Sequence, residues 1–217
     1  MAKVEPNQEG KSIVLRGAFN PKIFSPMWFV RHDLLPKEEA EAADNVIVTA
    51  DISTFTAGWL HIRALQPEFF ASAAESDRFE ALRDIVLGAF QILEHTPVTS
   101  MGINSDLHFS TLSKPAQSAI IERFVNISSW STVLPGEEFI SLSTRGKRAD
   151  GREGHCQVRL EPSRRIENGI FLAINDHFEL YKSGDEATAA RACDVLKNCW
   201  RDAITRVGAI VEHVVHT

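Results

Sequence analysis

Two segments set 201 − 83 = 118 residues apart repeat one another: RDIVLGAFQILEH (83–95) and RDAITRVGAIVEH (201–213). Both open on Arg-Asp, both end on Glu-His, and the residues between them are apolar in similar phase. Around the first, Phe79, Leu82, Val86, Ala89, Phe90 and Leu93 recur at three- and four-residue intervals, the mark of one apolar helix face. Around the second, Ala192, Leu196, Cys199, Ala203, Val207, Ile210, Val211 and Val214 keep the same spacing, which predicts one long helix over about 185–213.

Each helix follows three strand-like runs. NVIVTADISTFTA, WLHIRAL and EFFASAA precede the first; EEFISLSTR, GHCQVRLEP and GIFLAINDHFELY precede the second. In WLHIRAL, Leu60, Ile62 and Ala64 alternate with His61 and Arg63, the period-two pattern of a half-buried strand. The expected fold is therefore α+β: antiparallel sheet built from a duplicated unit of three strands plus a long helix, with the C-terminal helix packed on the sheet. The pseudo-repeat halves are placed at 45–112 and 137–217 of a single domain, and residues 1–11 are read as a flexible tail. SIVLRGAF and IFSPMWFV read as two strand-like runs kept to an edge or broken by Pro21 and Pro26.

Composition narrows the function classes. A net charge of −6 over 217 residues argues against sequence-independent nucleic-acid binding, which needs a cationic surface to displace counterions. No window reaches the roughly 20 apolar residues of a membrane span, and MAKVEPNQEGK has no apolar run for a secretory signal, so a cytoplasmic protein is expected. Three cysteines, Cys156, Cys193 and Cys199, without C-x-x-C spacing suit reduced thiols. No phosphate-cradling glycine loop, zinc-protease helix, nucleophile elbow or kinase signature occurs. Neither catalytic residue, metal nor cofactor is assigned.

TPVTSMGINSDLHF after a helix, and GIFLAINDHFEL followed by a helix containing CWRDAITRVGAIVEH, resemble a sporadically distributed group of uncharacterised bacterial proteins. The resemblance covers most of the chain from about Asn45 onward and carries no catalytic residue. It implies an α+β fold, a bacterial cytosolic origin and a place in a multi-gene system such as a defence locus.

Two groups of residues remain as candidate sites. RGKRADGREGHCQVR places Arg145, Lys147, Arg148 and Arg152 around a turn centred on Ala149-Asp150-Gly151, where they would meet an acidic partner, a phosphate or only water. Asp106 with His108, and Asn175 with His177, each share a strand face and are the candidate polar groups of a pocket. The first functional expectation is a non-enzymatic interaction or structural subunit with a protein partner or self-association, anchored by tryptophans in loop-like places, Trp28, Trp59 and Trp130. An alternative is a small-molecule binder or enzyme with a cavity between sheet and C-terminal helix, lined by Phe139, Phe171, Ile174 and Phe178. A second alternative is a nucleic-acid-binding component using the basic hairpin.

Overall fold

The computed structural model describes residues 5–181 and 187–216. They form one nine-stranded sheet with helices on one face. The strands are β1 (Gln8–Gly17), β2 (Asp44–Val48), β3 (Ile52–Ala57), β4 (Leu60–Leu65), β5 (Glu68–Ala73), β6 (Val98–Ser110), β7 (Leu142–Lys147), β8 (Gly154–Pro162) and β9 (Gly169–Glu179). The helices are α1 (Pro26–Arg31), α2 (Lys37–Glu41), α3 (Phe79–Ile92), α4 (Lys114–Glu122), α5 (Ala189–Asn198) and α6 (Trp200–His216). The sheet order is β2-β3-β4-β5-β1-β6-β9-β8-β7, and every neighbouring pair is antiparallel.

The order reads outward in the same way from the central β1/β6 pair. β1 is followed by the meander β5-β4-β3-β2, and β6 by the meander β9-β8-β7. Each half is thus a central strand, a helical connection, a meander and a closing helical segment, with four strands in the first meander and three in the second. The pairing also redraws the expected halves: β6 belongs with the second meander through its ladder to β9, and β1 with the first through β5.

Three expectations are corrected. The flexible tail expected over residues 1–11 does not hold for Gln8 to Lys11, which belong to the central strand β1 and pair with β6. The segment IFSPMWFV is not a strand: Pro21 and Pro26, with fixed φ and no N–H, start a 3-10 turn (Pro21–Ile23) and α1, capped by Asn20 and Ser25. The single long C-terminal helix is two, α5 and α6, separated at Cys199, whose N–H closes back on the Val195 carbonyl. Asp185, where that helix was expected to begin, lies outside the described residues.

Alternation along the strands divides the sheet into two faces. The covered face of the first half carries Phe55, Ile62, Phe69, Ala71, Ile13 and Leu15, all fully buried beneath α1 and α3. Phe19, Phe24, Phe69 and Phe90 form the centre of this core, with ring centroids 4.9–6.5 Å apart at edge-on and tilted angles. The second half has a separate cluster, Leu107, Phe109, Leu160, Ile170, Leu172 and Ile174, closed by Val211 and Val214 of α6. Trp28 and Trp59 pack against the first core, so of the three loop tryptophans only Trp130 is mostly exposed, at 54%.

Candidate functional site

The covered face of the second half is interrupted by charge. Asp176 sits on β9 facing the helices, with its side chain 3% exposed, and the hairpin between β7 and β8 returns Arg148 over it. Arg148, with its side chain 1% exposed, bonds through Nη1 to Asp176 and through Nε and Nη2 to Asp150, and its guanidinium lies 3.6 Å from the Phe178 ring centroid. Arg206 of α6 stands 3.6 Å from Asp176 Oδ2 and 3.8 Å from Asp150 Oδ2, beyond hydrogen-bonding distance. The turn is set by Asp150, whose Oδ1 accepts from the Arg152 N–H at 3.1 Å, and by Gly151 at φ 72°. Arg152 then reaches across to Asp194 of α5 at 2.8 Å.

These contacts separate the four predicted basic residues. Arg148 is an interior ion-pair partner and is not available to a partner or anion; Arg152 is half-exposed and ties the hairpin to α5. Arg145 and Lys147 lie on the opposite, open face of β7, where Arg145 Nη2 donates to Gln157 Oε1 at 3.2 Å. The sequence reading missed the reason: Asp176 and Asp150 supply two carboxylates to one guanidinium from 26 residues apart, a pairing that only the β8–β9 register creates. Burial pushes the Asp176 carboxyl up while the two arginines pull it down, and the Arg148 hydrogen bonds hold Asp150 below its ordinary value.

The predicted pocket groups lie together on the open face. Asp106 and His108 of β6 and Asn175 and His177 of β9 all point away from the helices, with Asn104 paired to Asn175 and Gly102 to His177. The register lines up a polar row across eight strands: Thr56, His61, Ser72, Ser12, Asn104, Asn175, Gln157 and Arg145. Within it Asn104 Nδ2 donates to Ser12 Oγ at 3.1 Å, and Thr56 Oγ1 meets His61 Nδ1 at 3.2 Å. His177 stacks on His155 at 4.6 Å and bonds Glu179 at 2.9 Å. Burial, with Arg145 and His177 beside it, pushes the His155 imidazole down.

His108 is the most built-in of these side chains. It is 6% exposed, stacks on Phe171 at 4.6 Å, and its Nδ1 meets Ser163 Oγ at 2.8 Å. The expected carboxylate partner Asp106 affects it only through space, raising its pKa against the larger lowering by burial and Arg165. Ser163 Oγ also accepts the N–H groups of Arg165 and Ile166 at 3.1 and 3.0 Å, so its lone pairs are spent on the turn and it is poorly placed to act as a nucleophile. A second serine with a basic partner, Ser105 accepting from Lys11 Nζ at 2.6 Å, is closed off: the two residues are 1% and 6% exposed. Burial lowers the Lys11 pKa to about 8. Cys156 faces the helices while His155 faces outward, and burial raises all three thiols, the opposite of an activated cysteine.

Among the described residues no three His, Cys, Asp or Glu side chains are grouped to hold a metal ion. No helix among them is long and apolar enough to cross a membrane. A groove of about 390 Å³ does lie between sheet and C-terminal helix, against β7, β8 and α6. Of the four residues expected to line such a space, none borders it: Phe171 faces the open side, Ile174 and Phe178 are buried in the cores, and Phe139 packs beside the second core.

Trp130, Val133 and Leu134 form a compact apolar turn on the surface. Trp130 ends the 3-10 helix Ile127–Trp130 and Val133 and Leu134 follow it, their N–H groups both bonded to the Trp130 carbonyl; the three are 54%, 67% and 55% exposed.

No protein-family model matches this chain and no curated protein matches it in sequence. Among solved structures it is similar to the rolling circle replication initiator protein from Geobacillus stearothermophilus, at 11% identity over 91% of this chain and 79% of that one, with a TM-score of 0.33. A likeness that low carries no residue, activity or partner across.

Proposed function

We propose that the chain is a non-enzymatic interaction subunit that engages a protein partner through the Trp130 turn. The carrying observation is the exposure of Trp130, Val133 and Leu134 together on one turn. Large apolar side chains grouped on a surface, with a tryptophan among them, have the composition of an interface anchor. The same reading is favoured by the serine, cysteine and histidine groups above, which are tied up in turns, stacked or buried. A bacterial multi-protein system, defence-related ones included, is the setting in which such a subunit would work.

The test places a photo-crosslinking amino acid at Val133 and, as a control, at exposed Glu38 of α2. A defined adduct, to another protein or to a second copy, that forms from position 133, is absent from position 38 and is lost in Trp130→Ala supports the reading. Equal cross-linking from both positions, or none from 133, contradicts it.

A further inference from the structure

The groove between α6 and the β7–β8 edge has a built chemical polarity. One wall is Leu142, Val158 and Leu160 from the covered face of β7 and β8. The other is α6, which presents Arg206, Ala209, Ile210, His213 and Val214 at the i, i+3, i+4, i+7, i+8 spacing of one helix face, and Phe124 closes the far end. Four residues of strand separate the level of Gly146 and Cys156, beside Asp176, from that of Leu142 and Leu160. At ~3.3 Å per residue the groove is about 13 Å long, the reach of roughly ten methylene carbons.

The polar end is Arg206. Its guanidinium makes no hydrogen bond among the described residues: Arg148 holds Asp176 Oδ1 and both oxygens of Asp150, and Asp176 Oδ2, 3.6 Å from Arg206, has no hydrogen-bond partner. Two aspartates at 3.6 and 3.8 Å hold the cation in place while leaving its donors unspent, and the side chain is 22% exposed where it lines the groove. Along this axis charge alternates: Arg148, then Asp176 and Asp150, then Arg206. These four charges cancel, and it is the donors of Arg206 left unspent at the groove that an anion would take; a planar carboxylate matches the guanidinium fork.

We propose that this groove binds a straight-chain aliphatic carboxylate of medium length, its head on Arg206 with the Thr144 hydroxyl beside it and its tail between Val158, Leu160, Ile210 and Val214. The site is independent of the Trp130 turn. The probe is decanoate, kept below its micelle concentration, titrated calorimetrically into the full chain beside decanol and decyltrimethylammonium. Decanoate binds with one site per chain; decanol binds at least tenfold more weakly, and the cation weaker still. Arg206→Gln lowers decanoate affinity tenfold or more while changing decanol less than threefold, and Val158→Trp, which fills the groove, removes both. Urea denaturation of each variant confirms that it is folded; if Val158→Trp is not, Ile210→Trp replaces it. Equal binding of decanoate and decanol, no binding of either at millimolar concentration, or unchanged affinity in Arg206→Gln would overturn the proposal. Self-association that Val158→Trp abolishes, without decanoate binding, would give the groove to a second copy instead.

Discussion

Reading outward from the paired residues Ile13 and Ile103 at the centre of the sheet, the two halves diverge at matching positions on the covered face. The first half runs Ala71, Ile62, Phe55; the second runs Asp176, Cys156, Gly146. In the first, three apolar side chains build a wall that α1 and α3 cover. In the second, a carboxylate and two small residues leave room for Arg148 to fold in from the hairpin, and α6 is left with a groove beside it. One strand layout therefore gives a closed core on one side and an ion-filled, partly open interior on the other. The difference leaves the groove between the sheet and α6 in the second half, and it comes from side-chain volume rather than topology.

The comparison is broken most strongly at the aromatic centre. Phe69→Ala should cost about 3–5 kcal/mol, because Phe24 and Phe90 cannot collapse into the space. Leu160→Ala, whose side chain already borders the groove, should cost nearer 2 kcal/mol. Urea unfolding measures both, and equal losses would mean that the second half is packed as tightly as the first.

Lys11 tests the seam between the halves. Its pKa is lowered from 10.5 to about 8 by burial, so above pH 8 the unfolded chain binds more protons than the folded one. Stability should therefore rise as pH climbs from about 8 toward 10.5, by roughly 3 kcal/mol in full. Lys11→Met should abolish that rise; a parent whose stability is flat over this range would contradict the buried ammonium.

At acid pH the hairpin carboxylates give a smaller effect of the opposite origin. Asp150 and Asp194 are held below their ordinary value by hydrogen bonds from Arg148 and Arg152, so their contribution is complete above about pH 3.8 and is lost as pH falls through their folded values. Asp194→Asn should flatten part of that acid limb and cost no more than about 1 kcal/mol at pH 7, since the pair with Arg152 is half-exposed. Smallest of all, Trp130→Ala should leave stability within about 0.5 kcal/mol while removing the cross-link at position 133.

Much of this was legible in the sequence where period alone decides. Alternation in WLHIRAL, and the shared faces of Asp106 with His108 and of Asn175 with His177, are kept in the structure. The α+β class and the helix over Phe79–Ile92 followed from the same signal. What it could not supply was long-range register. β1 looked like an edge strand because Pro21 follows it, yet it lies at the centre of the sheet. Arg148 looked like a surface cation because it stands among glycines and charges, and only the pairing of Cys156 with Asp176 explains its burial. The single break at Cys199 was hidden because α5 and α6 keep one apolar phase across it.

The central claim is that the second half places an ion pair where the first has apolar side chains at the matching strand positions, and a double-mutant cycle on Arg148 and Asp176 tests it most directly. Arg148→Met alone, which leaves the buried Asp176 carboxylate without a hydrogen-bond partner, should lose about 3–5 kcal/mol in urea unfolding, while Arg148→Met with Asp176→Leu should return to within about 1 kcal/mol of the parent or exceed it. A single variant as stable as the parent, or a double variant no better than the single, would contradict the account.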